Sequence, residues 1–391
     1  NLTAVVGPSP GPGHGEAFIW KRGADAPVVS VDAGGARRVG VHAASHLPEV
    51  LVLSHDDNDH TRGAVALMQA AGASLKQLWV PCEWAILIDQ VARTTPQELV
   101  PEGTEWIDVR GVASLVAERL VGATEGSESV TLDHLTRAQG DLDSWNVDAL
   151  DADDGFTFVN DPAPKRGWYG AKDLGEIVRR VRFRATHLIS ILKTALTLGV
   201  HVRYFSIDVA IGRTGHPWDT EGMPGIATIA NADETSHSLA VTIPAGLPFS
   251  FALTKITVQN RRALCTLLWT QDHSSAQGVM IWSDTDGGWM DLLDKPKLSN
   301  MMSTIVASSA PHHGSANSAH DRVWAELSHA QNNLVMICAG GQKNQSYRQE
   351  YVTLASQRSC TWCRPTSASY QEVVASSAHS GLFTLQNGCV A

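Results

Sequence analysis

Residues 53–63 read LSHDDNDHTRG, with two histidines and three aspartates inside six positions. Carboxylates packed this closely repel one another unless positive charge offsets them. Imidazole nitrogens and carboxylate oxygens are donors for Zn²⁺, Mn²⁺ or Fe²⁺. The candidate ligands here are His55, Asp57, Asp59 and His60. The competing reading is an acidic turn, with Asp59 beside the positively polarised start of the next helix. Two later stretches carry the same residue types. VMIWSDTDGG (279–288) offers Asp284 and Asp286, and VASSAPHHGSANS (306–318) offers His312 and His313. Three loops supplying His and Asp in this way are how dinuclear hydrolase sites are built, so two divalent ions, Zn or Mn, are expected.

Each loop follows an apolar run that reads as a strand. PEVLVLS (48–54) is continuously apolar, as in a strand covered on both faces. TRGAVALMQAAG (61–72) then has a helical pattern ending in Gly, and LKQLWVP (75–81) reads as the next strand. EAFIW (16–20) and PVVSVDAG (27–34) are strand-like runs before it. ALCTLLW (263–269) and GVMIWSD (278–284) predict a hairpin pair. STIVASSAPHHGSANS (303–318) predicts strand then loop, NLVMICAGG (333–341) a buried strand, and GLFTLQNG (381–388) a closing strand. This alternation predicts an α/β chain with its site at strand carboxyl ends.

Residues from about 100 to 235 break the rhythm. DLDSWNVDALDADDG (141–155) has six aspartates and no basic residue and reads as a solvated loop. In 164–193, eight Lys/Arg stand against two acids and the second half is helical in pattern. That stretch, with Arg179 and Arg180, is either an amphipathic surface helix or a face that follows phosphates. GRTGHPWDTEGMPG (212–225) reads as a loop.

Composition limits the alternatives. The net charge of −10 argues against a protein coated in basic surface, though not against a local basic patch. Six cysteines in 391 residues are no disulfide scaffold. Cys82, Cys265 and Cys338 read as buried thiols, and Cys360 with Cys363 is a lone C-x-x-C that lacks the second pair a structural zinc wants. LISILKTALTLGV (188–200), interrupted by Lys193, reads as a buried helix rather than a membrane span. No secretory signal is visible, so a cytoplasmic location and no membrane partner are expected.

SHDDNDH resembles the S-H-x-H-x-D-H signature of the metallo-β-lactamase fold, with Asp57 where the second histidine normally stands. GPGHGEAFIW followed by VVSVDAGG resembles the start of that fold. VMIWSDTDG resembles the strand with the bridging aspartate, and APHHGSANS the last histidine motif. The succession VQNRRALCTLLW, VMIWSD, HHGS and VMICAGGQKNQSY is most similar to one branch. It holds the hydrolase domain of the bacterial competence DNA-uptake channel protein and related defence-associated nucleases. The resemblance covers roughly residues 10–95 and 255–390.

The resemblance implies a single domain, a four-layer αββα sandwich with a large insertion over about 100–235. It implies His55, Asp57, Asp59, His60, Asp284 and one or both of His312 and His313 as metal ligands, with Asp284 bridging. Asp57 hardens one position and favours Mn²⁺ over Zn²⁺ there. The third histidine of the usual pattern has no clear counterpart near Asn260. His237 is a candidate, with a structural histidine as the alternative.

The implied activity is that of a metal-dependent phosphodiesterase, a nuclease with DNA favoured, using a hydroxide held between the ions. Asp59, His312 and His313 would be the catalytic residues. Whichever of the two histidines is not a ligand would protonate the leaving oxygen. In the resembled branch the loop of Asn344 and Tyr347 lies near the site, where they would touch a phosphate, with an ordinary polar loop after a buried strand as the alternative; the basic stretch would guide the polyanion. Two other readings stand beside this one. The first is a metal-dependent hydrolase of a lactam, ester or thioester. The second is a non-catalytic metal-binding scaffold whose 100–235 segment receives a protein partner.

Overall fold

The computed structural model describes residues 2–6, 15–85, 88, 135–136, 171–206, 222–223, 226–235, 263–270, 277–293, 295–316, 318–328, 330, 334–338, 349–353, 357–361, 371–377 and 383–386. The chain divides into two compact units. Unit 1 is Asn1–Pro81, Leu198–Glu234 and Asn260–Ala391, and unit 2 is Cys82–Thr197 with Thr235–Gln259.

Unit 1 is mixed α/β. Its first stretch runs β1 (Leu2–Val6), β2 (Ala17–Trp20), β3 (Val29–Val31), α1 (Arg37–Ala44), β4 (Val50–Val52), α2 (Asn58–Thr61), α3 (Ala64–Ala71) and β5 (Gln77–Pro81). The second adds β6 (His201–Ser206), β7 (Gly222–Met223), β8 (Ala227–Ile229) and β9 (Asp233–Thr235). The third runs β10 (Thr266–Trp269), β11 (Gly278–Ile281), a helix Lys295–Thr304, β12 (Ile305–Ser309), a helix Asp321–Leu327, β13 (Val335–Cys338), a helix Gln349–Thr353, β14 (Gln357–Cys360), β15 (Gln371–Ser377) and β16 (Phe383–Gln386).

Among the described residues these strands make two sheets. One is ordered β16-β15-β1-β2-β3-β4-β5-β6-β9, the other β14-β13-β12-β11-β10-β8-β7. β3 to β6 are mutually parallel, as are β11 to β14, and β10–β11 is the expected antiparallel hairpin. Residues 198–234, which the sequence reading groups with the insertion, supply β6 to β9 to these sheets. HVRYFS carries polar residues because β6 lies next to β9 near one end of its sheet, where Arg203 pairs with Glu234.

Strand periodicity sorts the side chains between two cores. Val29, Val31, Val50, Val52 and Trp79 of the first sheet share one core with Ile229, Leu268, Val279, Ile281 and Val335 of the second. The two sheets therefore face each other. Alternate residues of the second sheet, Leu267, Met280, Trp282 and Met336, pack instead against Met301, Met302, Val323, Trp324 and Tyr351 of its helices. On the first sheet, α1 packs on α3, and a Cβ on Gly40 would stand 2.0 Å from the Gly63 carbonyl oxygen.

In unit 2, α4 (Ala171–Thr197) covers the second half of the basic stretch. Ala185, Leu188, Ile189, Leu192 and Ala195 are fully buried at helical spacing, as a buried helix requires. Among the described residues no helix is long and apolar enough to cross a membrane.

Candidate metal centre

The seven candidate ligands of the three loops lie in unit 1, at the carboxyl ends of parallel strands. The chain leaving β3 carries Asp32, that leaving β4 carries Ser54 and His55, that leaving β11 carries Ser283 and Asp284, and that leaving β12 carries His312 and His313. The backbone is bent to aim these groups. Five described non-glycine residues have positive φ, and four of them are Asp32 (60°), Ser283 (48°), His312 (45°) and His313 (55°). The left-handed conformation costs a non-glycine residue about 1–2 kcal/mol, so the surrounding contacts must hold it.

Glu16 N–H donates to the Asp59 carbonyl at 3.0 Å, and Ala33 N–H donates to the His60 carbonyl at 2.7 Å. The ligand loop is thus pressed onto the ends of β2 and β3. Gly15 has a φ of +63°, and a Cβ there would stand 1.5 Å from the Asp59 oxygen.

Asp32 is the buried hub. Its Oδ1 accepts from Ser54 N–H at 2.8 Å, and its Oδ2 accepts from Ser283 Oγ at 3.0 Å. His60 Nδ1 lies 2.8 Å from Oδ2. Ser54 Oγ is 2.9 Å from both Asp32 oxygens and 2.9 Å from His55 Nδ1. A carboxylate only accepts, so His60 carries its proton on Nδ1. A serine that donates to Asp32 accepts from His55, so His55 also carries its proton on Nδ1. In the neutral rings both Nε2 atoms are therefore lone pairs, and both are buried without a hydrogen-bond partner.

The two Nε2 atoms face Asp284, whose carboxylate is divided between two groups of donors. Around Oδ2 stand His312 Nε2 at 3.5 Å and His55 Nε2 at 3.8 Å, with Asp57 Oδ2 3.6 Å from His55. Around Oδ1 stands His60 Nε2 at 3.6 Å, which is 3.9 Å from Asp59 Oδ1. His313 Nε2 is 3.1 Å from Asp59 Oδ2, and its Nδ1 is 3.1 Å from buried Glu16.

Separations of 3.5–3.9 Å are too long for hydrogen bonds. Donors bound tetrahedrally at about 2.0–2.1 Å lie about 3.3–3.4 Å apart. Orphaned buried Nε2 atoms, an orphaned Asp284 Oδ1 and this spacing together fit divalent ions. His55, His60 and Asp284 form one group of ligand atoms within 4.8 Å of one another, and Asp59, His60 and His313 form a second.

Burial and the neighbouring carboxylates act in opposite directions on the histidines. Burial pushes the His60 imidazole down, but Asp32, Asp59 and Asp284 outweigh it and raise it well above the usual histidine range. Burial likewise opposes His313, and Glu16 and Asp59 raise it well above that range. For His55, burial and His60 are outweighed by Asp57 and Asp284, and its pKa is raised. His312 goes the other way, because burial outweighs Asp284 and leaves it at about 4. Burial favours protonated Asp59 and Asp284, yet the neighbouring histidines hold both below the usual carboxylate range. Burial pushes Glu16 up, against His313 and His60.

His55, Asp57, Asp59, His60, Asp284, His312 and His313 are thus brought together. Asp286 is not part of the cluster, since its Oδ1 accepts from Gly288 N–H at 2.9 Å. Arg179 and Arg180 fall on α4, but their side chains lie outside the described residues, as do Asn344, Tyr347, His237, Cys363 and the acidic 141–155 loop. Cys82, Cys265, Cys338 and Cys360 are buried.

Sequence reading missed Asp32, Glu16 and His320. Asp32 follows the alternating run VSV as Asp284 follows VMIWS, so the same rule would have found it. Glu16 opens an apolar strand, and a carboxylate there is the signal. His320 packs against His312 with tilted rings whose centroids are 4.5 Å apart, and its Nδ1 donates to the Thr285 carbonyl at 2.8 Å. Nothing local in its polar loop marks it. No family model matches the chain, and no curated protein matches it.

Proposed function

We propose that this chain is a metal-dependent phosphodiesterase, a nuclease, with a metallo-β-lactamase-type αββα sandwich in unit 1. The observation that carries the proposal is the division of the Asp284 carboxylate. Its Oδ2 faces His55 and His312, and its Oδ1 faces His60. Placed so, one carboxylate would serve two ions. His55, Asp57 and His312 would complete one position, and Asp59, His60 and His313 the other.

Two divalent ions, when bound, supply Lewis acidity to phosphoryl oxygens and make water a nucleophile near neutral pH. The chain's own residues do the rest. Asp32 and Ser54 hold the Nδ1 protons of His60 and His55 and keep both Nε2 lone pairs turned inward. Glu16 faces His313 Nδ1 and steers its Nε2 toward Asp59. His312, with a pKa near 4, is neutral at pH 7 and suited to act as a ligand. With both rings engaged, the proton for the leaving oxygen comes from solvent.

Clustered carboxylates repel a polyanion unless cations neutralise them, so substrate binding and metal binding are coupled in this reading. The basic residues of 164–193 support a nucleic-acid substrate for a chain of net charge −10, with DNA preferred. The test offers DNA, RNA, a bis-aryl phosphate and a β-lactam to the purified chain with Mn²⁺ or Zn²⁺. Cleavage of a phosphodiester that is lost in Asp59→Ala supports the proposal. Turnover of the β-lactam alone would move it to the lactam class, and no turnover with metal bound would leave a scaffold.

A further inference from the structure

A second group of metal-type donors lies outside the centre. His42 lies in the last turn of α1 and His46 two residues past its end, in the turn that follows, and both side chains reach the same carboxylate. Both Nε2 atoms converge on one oxygen of Glu372, from β15. His42 Nε2 is 2.6 Å from Oε1 and His46 Nε2 is 3.2 Å from it. The two rings meet edge-on with centroids 5.9 Å apart.

We propose that His42, His46 and Glu372 form a separate divalent-cation site for Zn²⁺ or another borderline first-row ion. Two imidazoles and a carboxylate are a donor set for such ions, with a fourth position left to water. The three donor atoms lie within 4.8 Å of one another. The side chains are 24%, 30% and 31% exposed, so an ion reaches them from solvent and small rotations open the space it needs. The carboxyl end of α1 adds favourable negative potential. An ion here ties α1 to an outer strand of the first sheet. It does not depend on the function proposed for the centre.

The test is equilibrium dialysis of the full chain against Zn²⁺ and Co²⁺, with folding checked by circular dichroism. The His42→Ala/His46→Ala chain is expected to bind one equivalent fewer than wild type. Glu372→Gln should weaken that equivalent about tenfold or more, since even outer-shell partners are worth that much. The same equivalent should persist in Asp284→Asn, which disables the centre. Equal stoichiometry in wild type and the double variant, or loss of every equivalent in Asp284→Asn, would overturn the proposal. If the double variant does not fold, Glu372→Gln decides alone.

Discussion

Asp32→Asn removes one charge and almost no volume, yet the hydrogen-bond pattern leaves the amide no good orientation. Oδ1 accepts from the Ser54 backbone N–H, a donor that cannot become an acceptor. Oδ2 accepts from Ser283 Oγ and from His60 Nδ1. If the new NH₂ faces Ser54, two donors meet in a fully buried position. If it faces His60, the imidazole must move its proton to Nε2, and the lone pair aimed into the site is lost. The first choice strands buried donors at about 1–3 kcal/mol. The second removes one ligand from the His60 position. Losing such an orienting partner costs about 10–100-fold in metal affinity, which is about 1.4–2.7 kcal/mol. Both routes destabilise, and only the second reads out in metal binding. Competition against a chelator measures that affinity, and a thermal melt measures the fold. A variant that binds metal within twofold of wild type and melts at the same temperature would refute the reasoning about Asp32.

Three further outcomes follow from the geometry. Metal binding at pH 7 should release protons, because His60 and His313 are raised well above the usual range in the ion-free cluster and must give up Nε2 protons. Affinity should therefore rise as pH climbs toward those values, and calorimetry in buffers of different ionisation enthalpy checks it, with buffer-independent heats as the contrary result. Asp57→His should shift competitive binding from Mn²⁺ toward Zn²⁺ by about tenfold or more, since imidazole is the softer donor; an unchanged ratio in a two-metal competition would place Asp57 outside the coordination. Gly63→Ala should destabilise by about 3 kcal/mol or more in a thermal melt, because the new Cβ would stand 2.0 Å from the Ala33 carbonyl oxygen, whereas Gly23→Ala, with nothing within 4 Å, should be neutral.

What was legible in the sequence was local. Apolar runs followed at once by His or Asp located β4, β11 and β12, and all seven proposed ligands stand in one cluster. The TRGAVALMQAAG pattern marks α3, but the ligand loop itself is helical at Asn58–Thr61, a turn too short to show a period. β7 to β9 are two or three residues long, and β6 carries polar residues, so neither length nor alternation separated 198–234 from the insertion. Asp32 and Glu16 carry the same strand-boundary signal, but a single carboxylate there equally fits a solvated terminus. Only the partners, brought from up to 251 positions away in the case of Ser283, make Asp32 a buried hub. The His42–Glu372 pairing spans 330 positions and has no local trace.

If the Asp284 carboxylate serves two ions, counting bound metal reads it directly. Elemental analysis of metal-loaded wild type and Asp284→Asn, with both chains shown to be folded, should give a difference of two equivalents. Phosphodiester cleavage should disappear with them. A variant that loses one equivalent, or none, would contradict the account, because Oδ1 and Oδ2 of Asp284 would then not hold two ions between them.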